Sequence, residues 1–289
     1  MAERRKKKYV GTVILIVSLI LVALLMLSSF YLAIAGIAIG VMVGYLAMMV
    51  VDNTDTFAEQ FTTRPIHGGV IITGGYNLSD DLIIPGEIDG NQVVGIDESA
   101  FYGYDFKTIT LPDGIKAIEQ EAFYGCDSLK EIIIPDSCEY IGDYAFYNCT
   151  SLERVRIGNS TRYIGDSAFA ECTKLESVII GDGLEEIGPQ AFAYCTSLNY
   201  VDLGNGVEKI GMSAFISCTS LGRIEIPYSV NEISSGAFWL CDSLTNVIFE
   251  KTIGWTINGV SVEPADLMVE KTAANYLAIT DSGATWLNQ

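Results

Sequence analysis

The chain has 289 residues, 36 of them acidic and 17 basic, for a net charge of −19. Five of the basic residues crowd into positions 4–8, and residues 52–289 hold the other 12 against 35 acids, a net −23. That balance excludes a nucleic-acid footprint and docking of the acidic part on anionic lipid, both of which require clustered lysine and arginine, and the 49% apolar content excludes a disordered polymer.

From Tyr9 to Val51, 43 residues pass without a charged side chain. As one helix that stretch would run about 65 Å at ~1.5 Å per residue, roughly twice the thickness of a bilayer core. The segment therefore reads as an N-terminal transmembrane helix or a helical hairpin, with candidate spans at 9–27 and 31–51 broken near Ser28-Ser29-Phe30. Gly36, Gly40 and Gly44 recur every four residues in the second span. This spacing lets helices approach closely, within the hairpin or between protomers of a homo-oligomer, although glycine is also simply common in membrane helices.

Sidedness has three readings. The basic start places the N-terminus in the cytoplasm. Asp52, Asp55 and Glu59, with no basic residue before Arg64, suit an exported flank and an odd number of spans. A hairpin instead returns the chain to the cytoplasm. A cleaved secretory signal is the third reading, with an apolar region at 12–27 and Ala33-x-Ala35 as the cleavage site, but the apolar run continues sixteen residues past Ala35.

Residues 52–65 read as a linker, followed by the lone histidine, His67, and an N-terminal β cap over 66–95. A repeat then occupies 96–250. Phenylalanine marks it at 101, 123, 146, 169, 192, 215 and 238, always preceded by alanine. In six copies a cysteine follows at plus three and a leucine at plus six, then apolar pairs two apart such as Val155/Ile157 and Val178/Ile180. An isoleucine closes each unit. A fixed period of 23 residues means a solenoid, each unit one supersecondary element resting on its neighbours. The expected fold is α/β but mostly β. It is a solenoid of about seven 23-residue units with terminal caps. Leu-x-x-Val-x-Ile reads as a strand with alternate residues inward. Ile-Gly-x-x-Ala-Phe reads as a tight turn into a short helix, with Gly142, Gly165, Gly188 and Gly211 relieving the backbone and Asp143 and Asp166 capping. The first copy is one residue short and has Tyr104 in the cysteine slot, as a terminal unit meeting a cap would.

The unit Ile-Gly-x-x-Ala-Phe-x-x-Cys-x-x-Leu-x-x-Val-x-Ile resembles the BspA-type leucine-rich repeat of bacterial and protist surface proteins, over about 96–250. The segments Gly68-Gly69-Val70-Ile71-Ile72-Thr73-Gly74 and Leu82-Ile83-Ile84-Pro85 through Val94 look like that family's entry hairpin. Gly254-Trp255-Thr256-Ile257, Ala273-Ala274-Asn275-Tyr276-Leu277 and Trp286 look like its C-terminal unit. The resemblance implies a binding or adhesion role at the cell surface, toward a protein or glycan, and no enzymatic activity.

The remaining 251–289 read as a C-terminal cap, with Trp255 and Trp286 packing on the last repeat and a short helix over 272–279. Cysteines spaced by 23 lack the close pairs of a zinc site. They read as a column of buried free thiols, or as a ladder of disulfides between neighbouring units. His67 has no partners for a metal or a catalytic triad, the acidic pairs read as solvated surface, and no cofactor is implied. The better candidates for partner contact are outward repeat positions. On the main sheet these are Ile133, Arg156, Ile179 and Ile248. In the column after phenylalanine they are Tyr102, Tyr124, Tyr147 and Trp239, and in a second aromatic stack Tyr140 and Tyr163. Aromatic residues anchor interfaces, although tyrosine also covers repeat edges by stacking on itself.

Overall fold

In the computed structural model the described residues are 60–258, 260–269, 272–274, 277 and 285–288. The candidate spans 9–27 and 31–51, with Gly36, Gly40 and Gly44, lie outside them. Among the described residues no helix is long and apolar enough to cross a membrane.

The described chain is a mostly-β solenoid of about eight turns. Entry is made by β1 (Phe61–Ile66), β2 (Gly69–Gly75), β3 (Asp81–Ile83), β4 (Glu87–Ile88) and β5 (Asn91–Ile96). The repeats then alternate two kinds of strand. The longer are β6 (Thr108–Thr110), β8 (Glu131–Ile133), β10 (Arg154–Ile157), β12 (Ser177–Ile180), β14 (Tyr200–Asp202), β16 (Arg223–Ile226) and β18 (Asn246–Phe249). The shorter are β7 (Ala117–Ile118), β9 (Tyr140–Ile141), β11 (Tyr163–Ile164), β13 (Glu186–Ile187), β15 (Lys209–Ile210) and β17 (Glu232–Ile233). The exit holds β19 (Trp255–Ile257), β20 (Val260–Ser261), the helix α1 (Pro264–Leu267) and β21 (Trp286–Asn288).

The short strands build one continuous 13-stranded sheet, β1-β2-β5-β7-β9-β11-β13-β15-β17-β21-β19-β20, with β4 attached to β5. The longer strands do not form one sheet. They divide into β3-β6, β8-β10-β12-β14 and β16-β18. Gly181 N–H donates to Ile157 O across an intact junction, at 3.0 Å. Pro135 and Pro227 hold that slot in the repeats that follow the two breaks, and proline has no N–H to offer. Pro112 stands in the same slot beside an intact β3-β6 ladder, so the proline removes one bond rather than the ladder by itself.

The core is the repeat column itself. Seven phenylalanine rings stack along the solenoid, with successive centroids 5.0–5.3 Å apart and planes within 17° of parallel. That distance is close to the ~4.7–4.9 Å between hydrogen-bonded strands, so the backbone ladder sets the ring spacing. Each phenylalanine is almost completely buried.

The Ile-Gly-x-x-Ala-Phe segment is a run of turns, not a short helix. Its backbone bonds explain why. Glu121, Phe123 and Gly125 donate their N–H groups to Asp143, Ala145 and Tyr147 of the next repeat, at 2.8–2.9 Å, and the pattern recurs. A helix would spend those donors on itself. To aim them at a neighbour, the residues two before and two after each phenylalanine take left-handed conformations, Ser167 at φ 53° and Glu171 at φ 63° for example. Asp143 Oδ1 likewise accepts from Asp166 N–H of the next repeat at 2.7 Å instead of capping a helix. The regularly spaced glycines serve closeness rather than conformation. A Cβ on Gly165 would lie 2.5 Å from Asp143 N, and one on Gly188 2.5 Å from Ile164 O.

The entry departs from the expected boundaries. β1 begins at Phe61, inside the segment read as linker, because Phe61 is buried and the strand pairs antiparallel with β2. Pro65 is tolerated since β1 is the edge of the sheet. The proposed entry hairpin resolves into the β1-β2 hairpin, a tight β4-β5 hairpin through Asp89 and Gly90, and a first solenoid turn in which β2 and β3 pair parallel with β5 and β6. At the exit, Trp255 and Trp286 are buried against Phe249, with centroids 5.4 and 5.8 Å away. Trp255 Nε1 donates to Lys251 O at 2.6 Å.

Phe169→Ala should lower the unfolding free energy by about 3–5 kcal/mol in a denaturant titration. Gly188→Ala should destabilise by about 1–3 kcal/mol through overpacking. Gly222→Ala, whose added Cβ would find nothing nearer than 3.8 Å, should be neutral or slightly stabilising.

Candidate functional site

The longer strands present their broadest unbroken ladder at β8-β10-β12-β14. Val155, Ile157 and Val178 point into the core, so the alternate residues point out. Register sets Arg156 beside Ile133 on one side and Ile179 on the other, with Asp202 next to Ile179. Ile133 and Ile179 are 55% and 44% exposed, two large aliphatic side chains on the outward side of one sheet. A second outward row lies beside the first: Glu131, Arg154, Ser177 and Tyr200. Arg154 reaches Glu131 at 3.2 Å, and Tyr200 stands half exposed. The sequence reading missed this row. Its signal was present, since the residue two before an outward strand position is also outward. Ile248 belongs to β18, whose strand partner is β16; it is half-buried and is not part of the four-stranded face.

The column after phenylalanine is less uniform than its sequence suggests. Tyr102 stacks on Tyr124 at 4.6 Å, and Tyr124 on Tyr147 at 5.0 Å. The next three members, Ala170, Ala193 and Ile216, are buried and form a small apolar cluster against Tyr147. Trp239 is exposed at the far end, separated from the tyrosines by those three. Because the tyrosine rings face one another, they turn edges and hydroxyls outward, not flat faces. Burial, and then the neighbouring Tyr102 and Tyr147, raise the Tyr124 pKa, so its phenol stays neutral. Tyr140 and Tyr163 stack at 6.0 Å on β9 and β11, in the other sheet. Burial and Asp143 raise both of their pKa values. The candidate residues thus fall on three separate surfaces: the main sheet, the turn ridge and the second sheet.

The cysteines have a structural explanation. All seven are free and buried. In each of the six column members Sγ lies 3.1–3.4 Å from the phenylalanine carbonyl of the preceding repeat, Cys172 to Phe146 and Cys195 to Phe169 among them. The thiol therefore donates to a buried carbonyl. Burial raises the pKa of Cys172 and Cys195, and that of Cys138 to about 11, which keeps these sulfurs protonated and poorly nucleophilic. Tyr104, in the first copy, has no preceding phenylalanine to meet; its hydroxyl donates to Gly75 O at 2.6 Å.

Other ionisable groups among the described residues stand apart from one another or in simple ion pairs. His67 is exposed in the β1-β2 turn. Burial and the Asp97 carboxylate raise the Glu119 pKa, against the pull of Arg64, which is bridged to Asp97 at 3.0 Å. Burial and Asp143 raise that of Asp166. Among the described residues no three histidine, cysteine, aspartate or glutamate side chains are grouped to hold a metal ion.

The family model of the BspA type leucine-rich repeat region matches in six copies, across residues 94–200 and 164–258. The chain is similar in fold to a leucine-rich cell surface protein from Faecalibacterium prausnitzii A2-165. Identity is 24% and the TM-score 0.55, over 68% of this chain and 54% of that one. It is also similar to a leucine-rich repeat protein from Eubacterium ventriosum ATCC 27560, at 25% identity and TM-score 0.55, over 62% of this chain and 49% of that one. The chain thus spans about half the length of these solved relatives. No curated protein matches it.

A thiol-specific chromogenic reagent should react negligibly with the native protein and titrate all seven cysteines once it is denatured, without prior reduction. Titration of fewer than seven in denaturant alone would reveal disulfides.

Proposed function

We propose that this chain, which belongs to the BspA-type leucine-rich repeat family, is a membrane-anchored, non-enzymatic binding protein that presents its solenoid at a cell surface to a protein or glycan ligand. The observation that carries the reading is the β8-β10-β12-β14 face. It sets exposed Ile133 and Ile179 on either side of Arg156 on a rigid, ladder-bonded platform. An aliphatic pair flanking a guanidinium has the composition of an interface centre, where apolar contact supplies affinity and arginine supplies direction. The stacked tyrosines Tyr102, Tyr124 and Tyr147 offer a second, hydroxyl-edged contact ridge, with Tyr140, Tyr163, Trp239 and Ile248 as outlying positions.

The similarity to a leucine-rich cell surface protein supports surface placement, as does the uncharged run from Tyr9 to Val51 behind a basic start. That run has twice the length of one span. This favours, as the second reading, a hairpin that keeps the solenoid in the cytoplasm as a membrane scaffold, with Gly36, Gly40 and Gly44 as its packing face.

Protease treatment of intact cells separates the two. Surface display predicts loss of the repeat domain, followed with an antibody against it, before any cytosolic marker is cut. Complete protection of residues 52–289 until lysis would overturn the surface assignment and leave the scaffold.

A further inference from the structure

The junction between β14 and β16 is open on one side only. On the closed side β15 pairs with β17, Lys209 opposite Glu232, and Phe192 stacks on Phe215 at 5.2 Å. On the other side two independent ladders stop at the same place. The strand ladder ends at β14, since β16 pairs with β18. A side-chain ladder also ends there. Asn159 N–H donates to Asp136 Oδ1 at 2.9 Å, Asp182 N–H to Asn159 Oδ1 at 3.2 Å, and Asn205 N–H to Asp182 Oδ1 at 2.9 Å. The next member, Tyr228, turns away and donates to Glu250 Oε2 at 2.9 Å. Two local features accompany the opening. Pro227 has no N–H for the carbonyl of Leu203. Gly204, left-handed at φ 63°, gives its N–H to Asp202 Oδ1 at 3.1 Å.

The wedge so formed is a cleft of about 440 Å³ walled by Tyr200, Asp202, Asn205, Arg223, Glu225 and Glu250. Its chemistry is unbalanced. Three carboxylates face one guanidinium, and Arg223 is already held by Glu225. Asn205 Nδ2 is committed to Asp182 Oδ1 at 3.0 Å. Asp202 and Glu250, both in the cleft wall, each accept a backbone N–H through one oxygen only. Acceptors are therefore in excess, and an occupant must bring donors. Tyr200, 52% exposed, adds an aromatic wall of the kind that attracts a cation. The surrounding chain, at net −23 over residues 52–289, raises the local concentration of positive charge.

The geometry points to this wedge as the seat for an arginine or lysine side chain of a basic segment in a protein partner. The inference rests on the reading of the solenoid as a binding module and gives that partner its chemistry; it does not depend on which side of the membrane the solenoid lies.

The test uses the full chain in a neutral detergent. A fluorescent, end-blocked peptide of four Gly-Arg units is titrated at ~150 mM salt, near the ionic strength at which remote surface charges are screened beyond about 8 Å. Glu250→Gln keeps an acceptor for Tyr228 but removes the charge, and Tyr200→Ala removes the ring. Each should weaken binding about tenfold, in the range of a lost charge-assisted hydrogen bond or a desolvated cation–π contact. Glu98→Gln, an equal charge change on an exposed residue of the first repeat, should change it less than twofold. Equal losses in Glu250→Gln and Glu98→Gln would assign binding to diffuse charge and overturn the wedge while leaving the binding module intact. So would an unchanged affinity in Tyr200→Ala with Glu250→Gln also unchanged. Absence of peptide binding, with a neutral oligosaccharide bound instead and lost in Glu250→Gln, would overturn the cationic partner in favour of a glycan.

Discussion

One requirement organises the molecule: a 23-residue unit must find, in the unit beside it, partners for the backbone groups that it buries. Adjacent units sit a strand spacing apart, so the buried phenylalanine rings stack at 5.0–5.3 Å whatever their own preference for offset or edge-on geometry. Their carbonyls are then sealed inside, where several accept only a long local N–H bond, such as Cys149 N–H to Phe146 O at 3.4 Å. The cysteine thiol of the next unit arrives 3.1–3.4 Å away. A serine or alanine there would change either the donor or the volume, which accounts for cysteine recurring without redox or metal chemistry. The left-handed residues on both sides of each phenylalanine follow from the same demand. Such conformations cost about 1–3 kcal/mol for residues other than glycine. They persist because they turn N–H groups toward carbonyls of the neighbouring unit, as Ser167 does to Pro189 O at 2.9 Å.

Much of this was legible in the sequence. The period, the phenylalanine, leucine and isoleucine columns and the inward alternation of Val-x-Ile all appear where spacing placed them, because burial alone dictates those positions. What failed to show were features decided by contact between units. The turn after Ile-Gly looks helical by composition, yet its donors are claimed by the next repeat. Gly165 and Gly188 look like conformational relief, yet they are small because a backbone lies 2.5 Å from where a Cβ would be. Ala170, Ala193 and Ile216 share a column with exposed tyrosines and are buried, which a column of letters does not disclose. β1 was hidden by Pro65, a residue that argues against a strand except at an edge.

The candidate site was legible in kind but not in place. Outward positions Ile133, Arg156 and Ile179 do come together, while the aromatic candidates distribute over two other surfaces. Tyr200 and the row it belongs to were overlooked because only the middle residue of each strand was weighed. The wedge beside it was signalled by Ile-Pro in place of Ile-Gly after the strand, at Pro227, but Pro112 occupies the same slot without opening the sheet. At this joint the proline coincides with the left-handed Gly204 and the redirected Tyr228. The excess of acid over base noted at the outset thus acquires a location: carboxylates that neighbour one another across an open joint.

The central claim is that stacking between repeats is continuous along the phenylalanine side while the main sheet is interrupted, at β6/β8 and at the β14/β16 joint that forms the cleft. Amide hydrogen exchange on the native protein tests it directly. The account predicts strong protection at Ile210 and Ile233, on the closed side, and at Val178 and Asp202 within the intact ladder. It predicts rapid exchange at Val201, Leu203, Arg223 and Glu225, whose amides face the open joint. Uniform protection of all four would mean that the sheet runs unbroken from β14 to β16 and would contradict the account.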